Sequence, residues 1–212
     1  MKIFLTGGTG YIGQRLIPVL AAKGHEIRAL TRKESAHKLP QGCTPIFGNA
    51  LDKATFVNQI QPADTFVQLV GVAHPSPSKG KEFRSIDLVS GQESVAAASA
   101  AGIKHFIYVS VAHPAPMMKD YIAVRSEVES LIRASGMNAT ILRPWYVLGP
   151  GHRWPYALIP AYWLAEKIPA ARESAQRLGL VTLAQMLKTL VNAVETPAHG
   201  IRVLEVPQIR CS

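Results

Sequence analysis

The stretch Thr6-Gly7-Gly8-Thr9-Gly10-Tyr11-Ile12-Gly13 follows directly on the apolar run Ile3-Phe4-Leu5. Its glycines at positions 7, 10 and 13 predict a tight turn between a buried strand and a helix. Glycine suits this turn because a side chain would keep a pyrophosphate away from the backbone N–H groups at the helix N-terminus. The pattern therefore predicts a dinucleotide-binding site, the alternative being a glycine-rich turn without a ligand.

Apolar runs and helical patterns alternate along the rest of the chain. The runs typical of buried parallel strands lie at 2–6, 26–30, 44–47, 64–70, 104–110, 138–142 and 201–206. The helical patterns lie at 11–23, 52–60, 82–101, 119–135 and 183–195. Alternation at this spacing predicts an α/β fold, a doubly wound parallel sheet of the Rossmann type with ligands at the carboxyl ends of the strands.

Composition and length favour one globular domain over residues 1–212, with a net charge of +9 that suits an anionic ligand. No stripe of lysine and arginine with interleaved aromatics is present, so we expect no nucleic-acid partner. Cys43 and Cys211 lack metal-ligand spacing and imply no disulfide framework, and no metal is expected. Since no signal peptide precedes the first strand and no apolar segment is long enough to span a bilayer, the expected location is cytoplasmic.

The end of the second strand bears on which dinucleotide is bound. An NAD site usually carries an acidic residue there to bond the ribose 2′-hydroxyl, but this chain reads Leu30-Thr31-Arg32-Lys33, with no carboxylate before Glu34. Arg32 can hold a 2′-phosphate bidentately and Lys33 can add a point charge. NADP is favoured, with NAD possible, and the alternative is that both residues are ordinary solvated loop charges.

These motifs resemble the short-chain dehydrogenase/reductase superfamily, in its extended or atypical, epimerase/dehydratase-like branch. The resemblance rests on TGGTGYIG at 6–13, on Gly48-Asn49-Ala50-Leu51-Asp52, on Leu69-Val70-Gly71, and on Tyr108-Val109-Ser110 followed by Tyr121 and Ile141-Leu142-Arg143-Pro144. It implies an NAD(P)-binding protein of oxidoreductase type.

The resemblance also implies which residues contact the cofactor. The implied set is Gly7, Thr9, Gly10, Tyr11, Ile12 and Gly13 around the pyrophosphate, Asn49 and Ala50 beside the adenine, Leu69, Val70 and Gly71 beneath the adenosine ribose and the nicotinamide side, and Pro144 near the nicotinamide. The family commonly has aspartate where this chain has Asn49, and an amide can still bond an adenine edge.

The implied catalytic residues are Tyr121, Ser110 and Arg125. Active members of the family use a tyrosine, a lysine four residues later and a serine at the preceding strand end. Here Arg125 stands in the lysine position, and Ser110 lies 11 residues before Tyr121. Arginine can hold the nicotinamide ribose, but it cannot lose its proton at working pH. The alternatives are that Arg125 is a solvated helix residue near Glu129 and that Tyr121 only packs.

The sequence allows more than one role for three further residues and for one segment. His74 and His113 follow the fourth and fifth strands, either as ligand contacts or as polar loop residues. Arg143 pairs either with an anionic substrate or with a buried carboxylate. The aromatic and basic segment 149–177 is a candidate small C-terminal lid, an interface with another subunit or a membrane surface, or ordinary core packing.

The leading functional hypothesis is an atypical NADP(H)-dependent oxidoreductase acting on a small carbonyl or hydroxyl compound, with Tyr121 exchanging the proton. The first alternative is a non-catalytic NADP-binding regulator or assembly factor, because a working lysine is missing. The second is an epimerase or dehydratase with a retained cofactor. Expected partners are a small-molecule substrate and no nucleic acid, with peripheral membrane contact a minor alternative. Relatives suggest a monomer, or a homodimer through the helices at 82–101 and 119–135.

Overall fold

The computed structural model describes residues 1–151 and 168–212, and within them the strands form a seven-stranded parallel sheet beside a two-stranded parallel ladder. The large sheet consists of β1 (Lys2–Thr6), β2 (Glu26–Thr31), β3 (Thr44–Phe47), β4 (Thr65–Gln68), β5 (His105–Val109), β6 (Asn138–Arg143) and β9 (Ile201–Glu205). Its spatial order is β3-β2-β1-β4-β5-β6-β9. The ladder pairs β7 (Tyr146–Leu148) with β8 (Leu180–Thr182).

Helices connect the strands and cover both faces of the sheet. They are α1 (Gly13–Ala22), α2 (Gly80–Glu82), α3 (Val89–Ala100), α4 (Lys119–Ala134), α5 (Pro169–Arg177), α6 (Leu183–Glu195) and α7 (Val206–Arg210). A π-helical segment, Phe83–Leu88, joins α2 to α3, and 3₁₀ turns lie at Lys33–Lys38, Lys53–Thr55, Val57–Gln59 and Pro77–Lys79. None of the helices in the described residues is long and apolar enough to cross a bilayer.

The central strands read as continuous apolar runs because both of their faces are buried. In β1, Ile3 and Leu5 join the core that α1 and α6 cover, whereas Phe4 points to the opposite face and packs against Phe66 of β4, with ring centroids 5.2 Å apart. Alternate side chains thus enter different cores. This layering confirms the predicted doubly wound α/β fold.

Several predicted boundaries were wrong, each for a local reason. The predicted fourth strand at 64–70 ends at Gln68, because the chain beyond it turns away to line a groove. The helix predicted at 52–60 is two short 3₁₀ turns, and the helix predicted at 82–101 contains the π-helical segment. The ladder, α5 and α7 are additions that the periodicity did not indicate.

The strand order reverses between β1 and β4, which are neighbours although β2 and β3 intervene in the chain. At such a switch point the loops that leave two adjacent strands run in opposite directions and open a crevice at their carboxyl ends. The glycine turn after β1 and the loop after β4 border this crevice, so the topology places the candidate site there.

Candidate functional site

The glycine turn is shaped by close backbone packing. Gly7 has a φ of 78°, and a Cβ added to it would lie 2.7 Å from the carbonyl carbon of Leu69 in the loop after β4. The Gly10 N–H donates to the Gly7 carbonyl at 3.0 Å, and a Cβ on Gly13 would overlap that same carbonyl oxygen. Only glycine fits at 7 and 13, and the result is an open helix N-terminus that faces the crevice.

The crevice holds two cavities, and the first, here called the outer cavity, encloses about 350 Å³. Its lining comprises Gly7, Thr9, Gly10, Leu30, Thr31, Arg32, Ser35, Gly48, Asn49, Ala50, Leu51, Leu69, Val70, Gly71 and Ile86. It thus gathers the ends of β1, β2, β3 and β4. Nearly all the residues expected beside an adenosine are brought together here. Ser35 and Ile86 were not predicted.

Of the two basic residues at the end of β2, Arg32 lines the outer cavity and Lys33 does not. Arg32 lines the outer cavity with its side chain 67% exposed, and its ion pair with Glu34 spans 3.4 Å. Such an exposed pair contributes little and leaves the guanidinium available to a phosphate. Lys33 begins the following 3₁₀ turn and is not among the lining residues, whereas Ser35, two residues further on, is. Ser35 escaped prediction because a single loop serine has no distinguishing pattern.

The second, inner cavity encloses about 430 Å³ on the other side of the glycine turn. Its lining comprises Gly7, Gly10, Tyr11, Ile12, Gly13, Leu69, Gly71, Val72, Ala73, His74, Pro75, Val109, Tyr121, Arg125, Trp145, Tyr146 and Val147. The two cavities share Gly7, Gly10, Leu69 and Gly71, so they form one groove that bends over the glycine turn. The groove ends at Tyr121 and Arg125.

Tyr121 is positioned by an aromatic contact and a cation. Its ring packs against Phe83 with centroids 4.8 Å apart, and the Arg125 Cζ lies 5.0 Å from the ring centroid, because the two residues are one helical turn apart on α4. Burial raises the pKa of the Tyr121 phenol, and the Arg125 charge only partly offsets that effect. The phenol is therefore protonated at neutral pH.

Arg125 is buried, its side chain only 6% exposed, which is contrary to the interpretation of a solvated residue beside Glu129. Its guanidinium donates to Asp87 Oδ1 at 2.5 Å and to the Val109 carbonyl at 2.9 Å. Burial opposes the charge, but the hydrogen bond to the Tyr108 hydroxyl and the carboxylate of Asp87 raise the pKa of Arg125, which stays charged. Its Nε finds no acceptor among the described residues and remains available to a ligand.

Ser110 has a different environment from the other two predicted catalytic residues. It is buried at the end of β5, and its hydroxyl donates to Glu129 Oε1 at 2.6 Å. Arg143 donates to the same carboxylate at 3.0 and 2.5 Å and to Glu205 at 2.8 Å, so this arginine pairs with one buried and one half-buried carboxylate. Hydrogen bonds from Arg143 and Ser110 lower the pKa of Glu129 against the effect of burial. Ser110 lines neither cavity.

The remaining predicted residues divide in the same way. His74 has a φ of 50° and lines the inner cavity, whereas His113 lies with its Nε2 3.7 Å from Glu129 Oε1 and lines neither cavity. Pro144 is buried just before Trp145, which does line the inner cavity. Of the segment 149–177, residues 152–167 lie outside the described residues.

Sequence reasoning missed both buried acids, Asp87 and Glu129. Each stands within a predicted helix, where an acidic residue usually reads as part of a solvated face. One signal was available for Asp87, which lies between the apolar residues Ile86 and Leu88. A second was that the predicted elements offer each acid a basic partner, on a neighbouring helix or at a strand end. These signals become specific only when the fold is known.

Comparison with protein families and curated proteins shows relationships over most of the chain. The family model described as NAD(P)H-binding matches residues 7–158. A ceramide reductase from Caulobacter vibrioides is 23% identical over 210 residues, 98% of this chain and 65% of the relative. A protein named as an uncharacterized sugar epimerase, YhfK of Bacillus subtilis, is 30% identical over 68% of this chain and 71% of its own. A ketoreductase for a farnesyl-bearing quinoline oxide from Stigmatella aurantiaca is 26% identical, and this chain spans only 51% of it.

Solved structures share the fold at low sequence identity. The Bordetella bronchiseptica enzyme WbmH in complex with NAD⁺ has a TM-score of 0.70 at 22% identity, over 96% of this chain and 75% of that one. The UDP-N-acetylglucosamine 4-epimerase from Bacillus cereus has a TM-score of 0.70 at 19% identity, over 97% and 79%. This chain therefore spans about half to three quarters of the length of these similar proteins.

Proposed function

We propose that this protein is an NADPH-dependent reductase of a small carbonyl compound. The chain belongs to the NAD(P)H-binding family, in the epimerase/dehydratase-like branch of the short-chain dehydrogenase/reductase superfamily. The observation that carries the proposal is the pair of adjoining cavities: Arg32 lines one, the protonated Tyr121 and Arg125 line the other, and the glycine turn lines both. A dinucleotide likewise has two nucleotide ends joined by a pyrophosphate.

The described residues fit the cofactor at three points. Gly7 and Gly13 leave a cradle that a Cβ would fill, which suits a pyrophosphate at the N-terminus of α1. The Arg125 Nε is a buried donor without an acceptor, which suits a ribose hydroxyl. Arg32, with Ser35 as a hydroxyl donor, suits a 2′-phosphate and supports NADPH over NADH.

The proposed chemistry follows from the groups at the inner end. The nicotinamide supplies a hydride when bound. Tyr121 transfers its phenolic proton to the carbonyl oxygen as the carbonyl carbon is reduced to an alcohol, and Arg125 stabilises the phenolate until solvent returns a proton. Because the phenol is protonated at neutral pH, it starts this step as a proton donor. The Ser110 hydroxyl donates its hydrogen bond to Glu129, so this step is written without it.

The walls of the inner cavity support a largely apolar substrate. Val72, Pro75, Val109, Trp145 and Val147 are among the residues that line it. Apolar walls with a few polar groups are typical of small-molecule sites. Two relatives are named for reduction of ceramide and of a farnesyl-bearing ketone, and both substrates carry long apolar parts. We therefore propose a ketone or aldehyde with an apolar substituent.

A sugar epimerase is the second candidate, favoured by the 30% identity with the Bacillus subtilis protein. An epimerase keeps its cofactor through the cycle and shows no net redox change. The purified protein would then carry tightly bound NAD(H) or NADP(H) and interconvert nucleotide sugars without consuming added NADPH.

A Tyr121→Phe substitution tests the proposal in a screen of carbonyl compounds that follows NADPH consumption. Loss of the proton donor is expected to lower turnover about 100-fold or more, with NADPH affinity nearly unchanged, because the ring contacts stay. Tyr146→Phe, which removes a hydroxyl from the same cavity, is the matched control and should cost far less. Turnover that survives Tyr121→Phe would reject Tyr121 as the donor, and epimerisation without NADPH consumption would reject the reductase.

A further inference from the structure

Asp87 hydrogen-bonds to two residues that line the inner cavity, Val72 and Arg125. Its side chain is fully buried in the π-helical segment. One oxygen, Oδ1, pairs with the Arg125 Nη2 at 2.5 Å, and the other, Oδ2, accepts from the Val72 N–H at 3.0 Å. One carboxylate thus ties the loop after β4, which lines the groove, to helix α4, which carries Tyr121. π-Helical segments are frequent at functional sites, and here one delivers this contact.

The same segment also holds the Tyr121 ring. Phe83 packs against the ring, and Asp87, one turn later, pairs with the guanidinium 5.0 Å from the ring centroid. The segment therefore contacts the ring through Phe83 and holds the neighbouring Arg125 guanidinium through Asp87. Without Asp87, a full positive charge would lie buried beside the phenol, and it would favour the phenolate.

We propose that Asp87 is a positioning residue that sets the charge beside Tyr121: by pairing with Arg125 it limits how far that cation stabilises the phenolate, and so sets the acidity of the phenol that donates to the carbonyl oxygen. The proposal rests on the proposed function, in which Tyr121 donates that proton. Because arginine is permanently charged, the carboxylate of Asp87 is what moderates the positive charge beside the phenol.

The surroundings of Tyr121 leave Asp87 and Arg125 as the dominant opposing charges among the described residues. Burial raises the pKa of Tyr121, Arg125 lowers it and Asp87 raises it. Tyr108 on β5 lies behind the pair, and burial raises its pKa to about 12, so it is neutral. The other titratable residues that line the same cavity are His74 in the loop after β4, Tyr11 in the glycine turn and Tyr146 in β7. Burial also raises the pKa of Asp87, against the lowering effect of Arg125.

The test is an NMR titration of the protein labelled with ¹³C at the tyrosine Cζ, in which each phenol reports its own ionisation. Tyr121→Phe assigns the Tyr121 resonance. In Asp87→Asn we expect the Tyr121 midpoint to fall by about 1 pH unit or more, because Arg125 is then uncompensated. Asp87→Glu, which restores the charge, should return the midpoint toward the parent value.

Glu129→Gln is the matched control. It also removes a buried carboxylate that pairs with an arginine, Arg143, but it lies outside both cavities. It should lower the melting temperature and leave the Tyr121 midpoint in place. A Tyr121 midpoint that is unchanged in folded Asp87→Asn, or that moves equally in Glu129→Gln, would overturn the proposal.

A second pair of variants covers the case in which Asp87→Asn does not fold. The double variant Asp87→Asn/Arg125→Gln leaves no unpaired ion and is compared with Arg125→Gln alone. If the charge of Asp87 raises the Tyr121 midpoint, the midpoint should be lower in the double variant than in Arg125→Gln. Equal midpoints would contradict the proposed effect of Asp87. Since the titration needs no substrate, it is separable from turnover: a shifted midpoint with full activity in Tyr121→Phe would reject Tyr121 as the proton donor and keep the electrostatic effect of Asp87 on it.

Discussion

Arg125 shows how a single residue changes the meaning of a motif. In sequence it is a departure from a tyrosine–lysine pair that leaves activity in doubt. In the structure it is buried, charged and shared between Asp87 and the Val109 carbonyl, with Nε still unpartnered among the described residues. An arginine so held can bind a ribose but cannot relay a proton, so in the proposed mechanism the proton chemistry is assigned to Tyr121 and solvent.

Arg32 carries the prediction on cofactor choice. Replacing it with alanine removes the guanidinium that we assign to the 2′-phosphate, so NADPH affinity is expected to fall about 10-fold or more, roughly 1.4 kcal/mol. NADH affinity should change little, since it has no such phosphate. Isothermal titration calorimetry with both cofactors measures the two effects.

Lys33→Ala is the matched control for Arg32→Ala, because it removes the same charge from the adjacent residue, which does not line the cavity. A smaller loss is expected there. Equal losses of NADPH and NADH affinity in Arg32→Ala would show that the 2′-phosphate lies elsewhere.

At the scale of elements, the glycine turn couples β1 to the loop after β4. Gly7 and Gly102 offer a matched pair, since both have positive φ but only Gly7 has backbone within reach of a Cβ. Gly102→Ala should cost only the left-handed conformation, about 1 to 2 kcal/mol, and leave NADPH binding intact. Gly7→Ala should cost more and abolish NADPH binding, because the loop carrying Leu69 must move.

Thermal melts and NADPH titrations of the two glycine variants check this expectation. Gly7→Ala with parent-like NADPH affinity would mean that the turn does not shape the cofactor groove. A Gly102→Ala variant that loses NADPH binding would point to general loss of structure instead.

The elements that could be predicted are those whose signal is local. Strands β1, β4 and β5 are buried on both faces and stand out as apolar runs between glycines and polar turns. Strands β7 and β8 have three residues each and no periodicity, so they are fixed only by pairing with each other. The π-helical segment has the same amphipathic spacing as a helix and is not visible in sequence.

For the whole molecule, the sheet order decides what meets. The ends of β1 to β4 come together at the switch point, which is why residues as distant as Arg32, Asn49 and Val70 line one cavity. The net charge of +9 favours an anionic ligand in that groove. The meeting of the strand ends follows from the alternation of strands and helices, and the net charge follows from composition, so both could be predicted.

What could not be predicted is long-range pairing of charges. Asp87 and Arg125 are separated by 38 positions, and Ser110 and Glu129 by 19. Each side chain has several plausible partners in sequence, and the choice depends on how α4 packs on the π-helical segment and on β5. Tyr121 and Arg125 lie together because they are one helical turn apart, whereas the pairing of Ser110 with Glu129 depends on tertiary packing. The catalytic roles of all three residues stay predictions.

The most direct test of the account is a titration of the purified protein with NADPH and with NADH, followed by tryptophan fluorescence. Trp145 lines the inner cavity, so a nicotinamide bound there should quench it, and Trp145→Phe should remove much of the signal while equilibrium dialysis still detects binding. We expect saturable quenching with NADPH at least about 10-fold tighter than NADH. Equal affinities would contradict the assignment of Arg32, and binding of neither cofactor would contradict the groove as a dinucleotide site.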